Sequence, residues 1–269
     1  MKDAGTPGAH WQRLDDELGA WRAAGRTATL WLRDDDAGSD SPALRRLLRI
    51  AETHRVPVCI AAIPDDADRS LVDAIGRAPL ADVAQHGYAH RNHSPPGARS
   101  AELGGDRDVR IRIDELRLGR ERLRELFIGR YVPVLVPPWN RIGEDLLPHL
   151  AQAGFVGLSR FGPRRAAEPA PGLTEVNAHV DPIAWRRDAA FVGDEPTVDR
   201  LVTHLRDRRE GRCDAGEPTG VLTHHLAFPD AGWRFLDAFL ARTRAHPAVE
   251  WCGVRRVFGL DRLTFDRSA

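Results

Sequence analysis

The chain is poor in several things that often announce a function. Cys59, Cys213 and Cys252 are the only cysteines in 269 residues, and none stands in a CxxC spacing. An odd count without that spacing argues against a disulfide framework and against a thiolate zinc site. Lysine is all but absent, Lys2 being the single copy, and 39 basic residues balance 39 acidic ones. With a net charge of zero no global field draws the chain to nucleic acid or to an anionic membrane, and its arginines are scattered among Asp and Glu as on solvated helix faces. There is no apolar run of eighteen residues or more, and the N-terminus MKDAGTPGAHWQRLDDELGAW lacks a signal-peptide core. The expectation is a soluble, cytoplasmic protein with no transmembrane segment and a locally recognised partner.

What the chain does have is alternation. Short β-branched apolar runs and amphipathic stretches follow one another from about residue 27 to the end, as in repeated strand and helix units. Strands are expected at 28–33, 56–63, 81–85, 132–136, 155–160, 174–180, 219–225 and 249–254. Helices are expected at 9–24, 41–54, 66–77, 106–128, 143–153, 196–210 and 231–245. Ser39, Asp40 or Ser41 caps the second helix, with Pro42 in its first turn. Val109, Ile113, Leu116, Leu123 and Leu126 share one face of the longest, as on a helix that coats a sheet. Seven or eight such units fit one closed or nearly closed barrel over residues 27–269, preceded by a helical extension over residues 1–26; no repeat or composition break divides it further.

The predicted strand ends carry Asp34 to Asp36, Asp65 and Asp66, His86 to His90, Pro137 to Asn140, Ser159 and Arg160, Asn177 to Asp181, and His224 and His225. In a barrel of parallel strands those ends converge on one face, where active sites are found. Three adjacent carboxylates repel one another, so LWLRDDDAGSD needs a reason: capping of the next helix is one, a cation is the other. His86 and His90 are four apart, a spacing that lets one turn aim both imidazoles at one point. With a carboxylate from the first strand they make a two-His, one-Asp set with open coordination positions. Such a set suits one divalent metal, with zinc the expectation and iron, cobalt, nickel and manganese compatible. A second aspartate beside it is suited to take a proton from water, and His224, ending GVLTHH, to protonate a leaving amine.

These residues resemble the motif set of the polysaccharide deacetylase family (carbohydrate esterase family 4), in the same order over roughly residues 28–228. RDDDA resembles TFDDG, implying Asp35 as base and Asp36 as ligand, with Asp34 and Asp35 as the alternative register. HGYAH resembles H(S/T)xxH, implying His86 and His90 as ligands. VPPWN resembles the RPPxG-type stretch that forms a groove wall, where Pro138 and Trp139 meet substrate; Tyr88 and Trp139 are candidates to stack on a sugar ring. DPIAW resembles DxxDW, implying that Asp181 tunes the acid with Trp185 packed near it. LTH resembles LxH, implying His224 as the acid and Leu222 at the acetyl pocket. The resemblance implies a single-domain distorted (β/α)7 barrel with its active site at the C-terminal ends of the parallel strands, removing an acetyl group from an N-acetylated sugar or sugar conjugate. Three positions depart from it. Gly87 replaces a hydroxyl that would brace the ligand loop, Val136 stands where the family has an arginine that holds the base, and Ala184 replaces the second acid of DxxDW.

Two other readings compete. One is a carbohydrate-binding relative that keeps barrel and metal without turnover; the other is a metal hydrolase of phosphate esters or cyclic amides, which the lack of a phosphate-cradling Gly-rich loop disfavours. His93 reads as a loop histidine, and His179 and His225 as lining the cleft or bonding backbone. A cytoplasmic enzyme points to a small nucleotide- or lipid-linked sugar rather than wall polymer. Nothing in the sequence sets an oligomeric state.

Overall fold

The computed structural model describes residues 8–105, 107–185 and 189–261. Its elements run α1 (Ala9–Ala23), β1 (Ala28–Ala37), α2 (Pro42–Thr53), β2 (Val58–Ala62), α3 (Arg69–Gly76), β3 (Ala81–His86), α4 (Val109–Leu126) and β4 (Tyr131–Val136). Two 3₁₀ turns (Pro138–Asn140 and Glu144–Leu146) lead to α5 (Leu147–Leu150), β5 (Gly157–Leu158), β6 (Thr174–Glu175) and β7 (Ala178–Val180). A small hairpin of β8 (Ile183–Ala184) and β9 (Ala190–Phe191) precedes α6 (Asp194–Glu210), β10 (Thr219–Thr223), the turn His225–Ala227, α7 (Asp230–Ala245), β11 (Val249–Trp251) and α8 (Val254–Val257).

Every pairing in the main sheet is parallel, in the order β6-β5-β4-β3-β2-β1-β10-β7. One edge of β1 pairs with β10, and the other is shared by β11 at Ala28–Leu30 and β2 further on. The two ends of this order, β6 and β7, are separated in the chain by Val176 and Asn177 alone, so the sheet curls until its edges nearly meet. A parallel bridge from Phe161 to Ala178 spans the gap. The result is a distorted (β/α) barrel.

Period-two alternation sorts the residues of β1. Leu30 and Leu32 join the cluster between sheet and helices, whereas Trp31 joins the interior cluster with Cys59, Ala61, Ala84, Val134 and Val136. Arg33 and Asp35 follow Trp31 at the same parity. Ser41 caps α2 by accepting from the Leu44 N-H, with Pro42 in the first turn. On α4, Ile113, Leu116 and Leu123 are buried and Val109 and Leu126 partly so. α1 buries Leu14, Leu18 and Trp21 in the same core as the sheet, and pairs Arg13 with Glu195 and Asp199 of α6. No helix of the described residues is long and apolar enough to cross a membrane.

Three sequence expectations need correction. The strand expected at 174–180 is two strands at opposite ends of the sheet, because Asn177 leaves the ladder: its N-H donates to Glu217 and its side chain bonds Arg160, Gly162 and Glu175. The strand at 155–160 shrinks to two residues, since beyond Leu158 the Ser159 and Arg160 carbonyls accept from Arg33. The helix at 143–153 is a 3₁₀ turn and one short helix, broken by Pro148 near its start.

Between α6 and β10, His204 stacks on His179 with ring centroids 3.7 Å apart, and its Nδ1 lies 3.0 Å from Thr219 Oγ1. Burial, then His179 and Arg208, push its pKa down to about 2 from an ordinary 6.5. The folded protein keeps this ring neutral where the unfolded chain takes up a proton, so the unfolded state binds more protons. Stability from His204 is therefore complete above pH 6.5 and falls as pH drops toward 2, by up to about 1.4 kcal/mol per unit. In urea denaturation the stability difference between wild type and His204→Gln is expected to narrow from pH 7 to pH 5.

Candidate active site

The carboxylates at the end of β1 diverge. Asp34 is fully buried and committed to β10: its Oδ2 accepts from Thr223 Oγ1 at 2.7 Å and from the His225 N-H at 3.0 Å, and its Oδ1 lies 2.5 Å from His225 Nδ1. Asp35 and Asp36 both line a cavity of about 760 Å³ at the C-terminal strand ends. Regular alternation would put neighbours on opposite faces. A bulge prevents it: Asp34 pairs with Ile60 and Ala37 with Ala62, so β1 carries one residue more than β2 over this stretch, with Asp36 at φ 72°.

Asp36 meets the histidines of the β3 end. Its Oδ1 is 3.0 Å from His86 Nε2 and 3.3 Å from His90 Nε2, and one ligand atom of each residue lies within 4.8 Å of the others. His86 donates from Nδ1 to the Val136 carbonyl at 3.0 Å, which aims Nε2 at the cluster. Ligand bonds near ~2.0–2.2 Å put neighbouring donors about 3 Å apart, so this donor set fits a divalent cation. The electrostatics agree. Burial opposes the charge on Asp36, yet the imidazoles, His86 first, hold its carboxyl well below the usual range. Burial likewise opposes the His86 imidazolium, but Asp36 and Asp35 carry its pKa upward. For His90 burial wins, aided by His86, and its pKa is lowered.

Asp35 is also buried, and Arg33 holds it. Arg33 NH2 donates to Asp35 Oδ2 at 3.0 Å, and Arg33 Nε lies 2.9 Å from Asp35 Oδ1. The guanidinium that Val136 does not supply thus comes from β1, two residues before the base candidate. His224 Nε2 stands 4.0 Å from Asp35 Oδ2, while its buried Nδ1 has no hydrogen-bond partner among the described residues. Trp185 covers the His224 ring edge-on at 4.4 Å and donates from Nε1 to Asp181 Oδ2 at 2.7 Å. Burial raises the Asp181 pKa against the pull of His224 and Trp185.

Trp139 tilts against the His90 ring at 4.3 Å and lines the cavity with Asn140, Arg141, Phe161, Ile183 and Arg200. Pro138, Tyr88 and Leu222 are not on that wall. Pro138 is buried, Tyr88 donates its N-H to Glu102, and Leu222 is buried on β10 in register with Arg33. His93 is exposed and outside the cluster, His225 braces Asp34, and His179 lines the cavity while its Nδ1 accepts from the Gly220 N-H.

Sequence reasoning missed two supports, Arg33 and Glu102. Buried Glu102 accepts from the Tyr88 and Ala89 N-H groups at 3.0 and 2.7 Å, bracing the His86–His90 loop from outside the HGYAH motif. Gly87 is what admits it: at φ 58° a Cβ there would collide with Glu102 Oε2 and lie 2.5 Å from Pro138 Cγ. Gly87→Ser is therefore expected to destabilise the protein by about 1–3 kcal/mol, read by thermal or urea denaturation, although it restores a hydroxyl. An Arg two residues before an Asp pair, at inward parity, was the available signal for Arg33; Glu102 had none.

No family model matches the chain, and no curated protein matches it in sequence. The fold is shared, over most of the chain, with solved polysaccharide deacetylases and family 4 carbohydrate esterases. A structure from Mycobacterium smegmatis, described as a polysaccharide deacetylase, matches with TM-score 0.65 at 20% identity, covering 89% of this chain and 92% of that one. A family 4 carbohydrate esterase from Streptomyces lividans in complex with acetate matches at TM-score 0.52 and 18% identity, over 84% and 91%. A family 4 acetyl xylan esterase from Clostridium thermocellum in complex with a cobalt ion matches at TM-score 0.52 and 11% identity, over 87% and 92%.

Proposed function

We propose that the protein is a metal-dependent deacetylase of N-acetylated sugars or sugar conjugates. The observation that carries this reading is the convergence of Asp36, His86 and His90 on one point of a cavity that Asp35 and His224 also line. Neighbours in fold that are carbohydrate deacetylases and esterases, one holding acetate and one a cobalt ion, support it. Asp36, His86 and His90 would hold the ion, with zinc the first choice. When bound, a divalent cation lowers the pKa of a water and polarises an acyl oxygen.

The chain's own groups supply the rest. Asp35, held by Arg33, accepts the proton that water loses as its oxygen bonds to the acyl carbon. His224, protonated at Nε2, gives a proton to the nitrogen as the C-N bond breaks, leaving acetate and a free amine. Asp181 and Trp185 hold the His224 ring in place from one side. Trp139, beside the cluster, offers an aromatic face for a sugar ring. The test is acetate release from a panel of N-acetylated amino sugars and their phosphate-linked conjugates, by chelator-treated protein before and after zinc or cobalt is restored. Release only after restoration supports the reading. Metal and sugar binding without release from any member of the panel favours the non-catalytic carbohydrate binder instead.

A further inference from the structure

Arg33 does more than hold Asp35. Its guanidinium is fully buried in the barrel, where NH1 donates to Ser159 Oγ at 2.7 Å and to the Ser159 and Arg160 carbonyls at 3.2 Å each. NH2 is shared: it donates to Asp35 Oδ2 at 3.0 Å and to Asn140 Oδ1 at 2.6 Å. Asn140 ends the turn whose preceding residue, Trp139, lies against His90. That turn is strained. Trp139 and Asn140 have φ of 54° and 56°, and with Asp36 and His90 they make up four of the six non-glycine residues of positive φ among those described. Two successive left-handed residues, one of them tryptophan, persist only where surrounding contacts over-determine them. The Asn140 N-H bond to the Pro137 carbonyl closes the turn locally, and the Asn140 side chain anchors it to the barrel interior through Arg33.

We propose that Asn140 is a positioning residue that couples the aromatic wall to Asp35, with the Arg33 guanidinium as the link. One nitrogen serves both acceptors, so the wall's placement and the carboxylate's orientation are set together. A substrate that presses on Trp139 transmits its fit to Asp35 through two hydrogen bonds. The coupling rests on the reading of Asp35 as the base, but the physical link to Trp139 does not.

The test therefore uses two readouts on Asn140→Ala and Asn140→Asp. The first is spectroscopic: cobalt(II) added to the metal-free protein should quench Trp139, and subtracting the quenching seen in Trp139→Phe isolates that signal. Asn140→Ala is expected to lose at least half of it, because the wall is no longer tethered. The second is kinetic. Asn140→Asp sets a second carboxylate against Arg33, competing with Asp35 for NH2; it should retain the wild-type melting temperature yet lower kcat about 10- to 100-fold, the scale of an outer-shell loss. Asparagine in a merely structural role predicts no such split between stability and kcat. Unchanged Trp139 quenching in Asn140→Ala overturns the link to the wall, and unchanged kcat in Asn140→Asp overturns the coupling to the base. Wild-type protein that releases no acetate from any substrate refutes both the deacetylase reading and the coupling to a base, leaving the quenching result to decide the tether alone.

Discussion

Alanine at His86 is expected to remove the metal and to lower acetate release by about 10³-fold, equivalent to about 4 kcal/mol of barrier. The imidazole is 1% exposed, and its Nδ1 bond to Val136 fixes which nitrogen faces Asp36. No other group of three ligating side chains occurs among the described residues, and His93, the next histidine in sequence, is exposed on the loop beyond. Two remaining ligands cannot replace the set. Calorimetric titration with zinc or cobalt measures the loss, and circular dichroism checks the fold. Stoichiometric metal binding at wild-type affinity in His86→Ala would refute the assignment of the site.

The second large effect is expected from Asp35→Asn: metal binding preserved, kcat down by about 10²–10⁴-fold. The amide keeps an oxygen for Arg33 NH2 and the same shape, but it cannot take a proton at neutral pH. The contrast with His86→Ala separates base from ligand. If Asp35→Asn instead released the metal, the alternative register, with Asp35 as ligand, would be restored. The environment of Asp34 speaks against that register, because both its oxygens are consumed by Thr223 and His225. Asp34→Asn should therefore appear as a loss of stability with little change in metal affinity, read by denaturation and by the same titration.

Much of the fold was legible because strand and helix periods differ and because β-branched runs stood at regular intervals. Element ends were less legible where side chains overrode pattern. Asn177 reads as one residue of a strand, but its side-chain amide bonds Arg160, Gly162 and Glu175 and turns one expected strand into two. The supports of the site were hidden for a related reason. Arg33 and Glu102 act across 107 and 13 or 14 residues of chain on Asn140 and on the 88–89 backbone, and no local spacing records such contacts. The losses at Val136 and Gly87 read as weakened support in the sequence; the structure supplies a guanidinium and a carboxylate from elsewhere. Among the described residues Ala184 has no such replacement, and His224 Nδ1 has no hydrogen-bond partner there.

By itself the sequence determined the chemistry at hand: which strand tips carry imidazoles and carboxylates, and that parallel strands gather such tips on one face. It also determined that the three cysteines have no CxxC spacing and that 39 basic residues balance 39 acidic ones. Only the tertiary structure decided where each of three consecutive aspartates points. A strand's two-residue period assigns neighbours to opposite faces, and it takes the bulge against β2, with its left-handed Asp36, to turn Asp35 and Asp36 into the same cavity while β10 claims Asp34. That displacement is a property of pairing between strands, and a single strand's sequence holds no record of it.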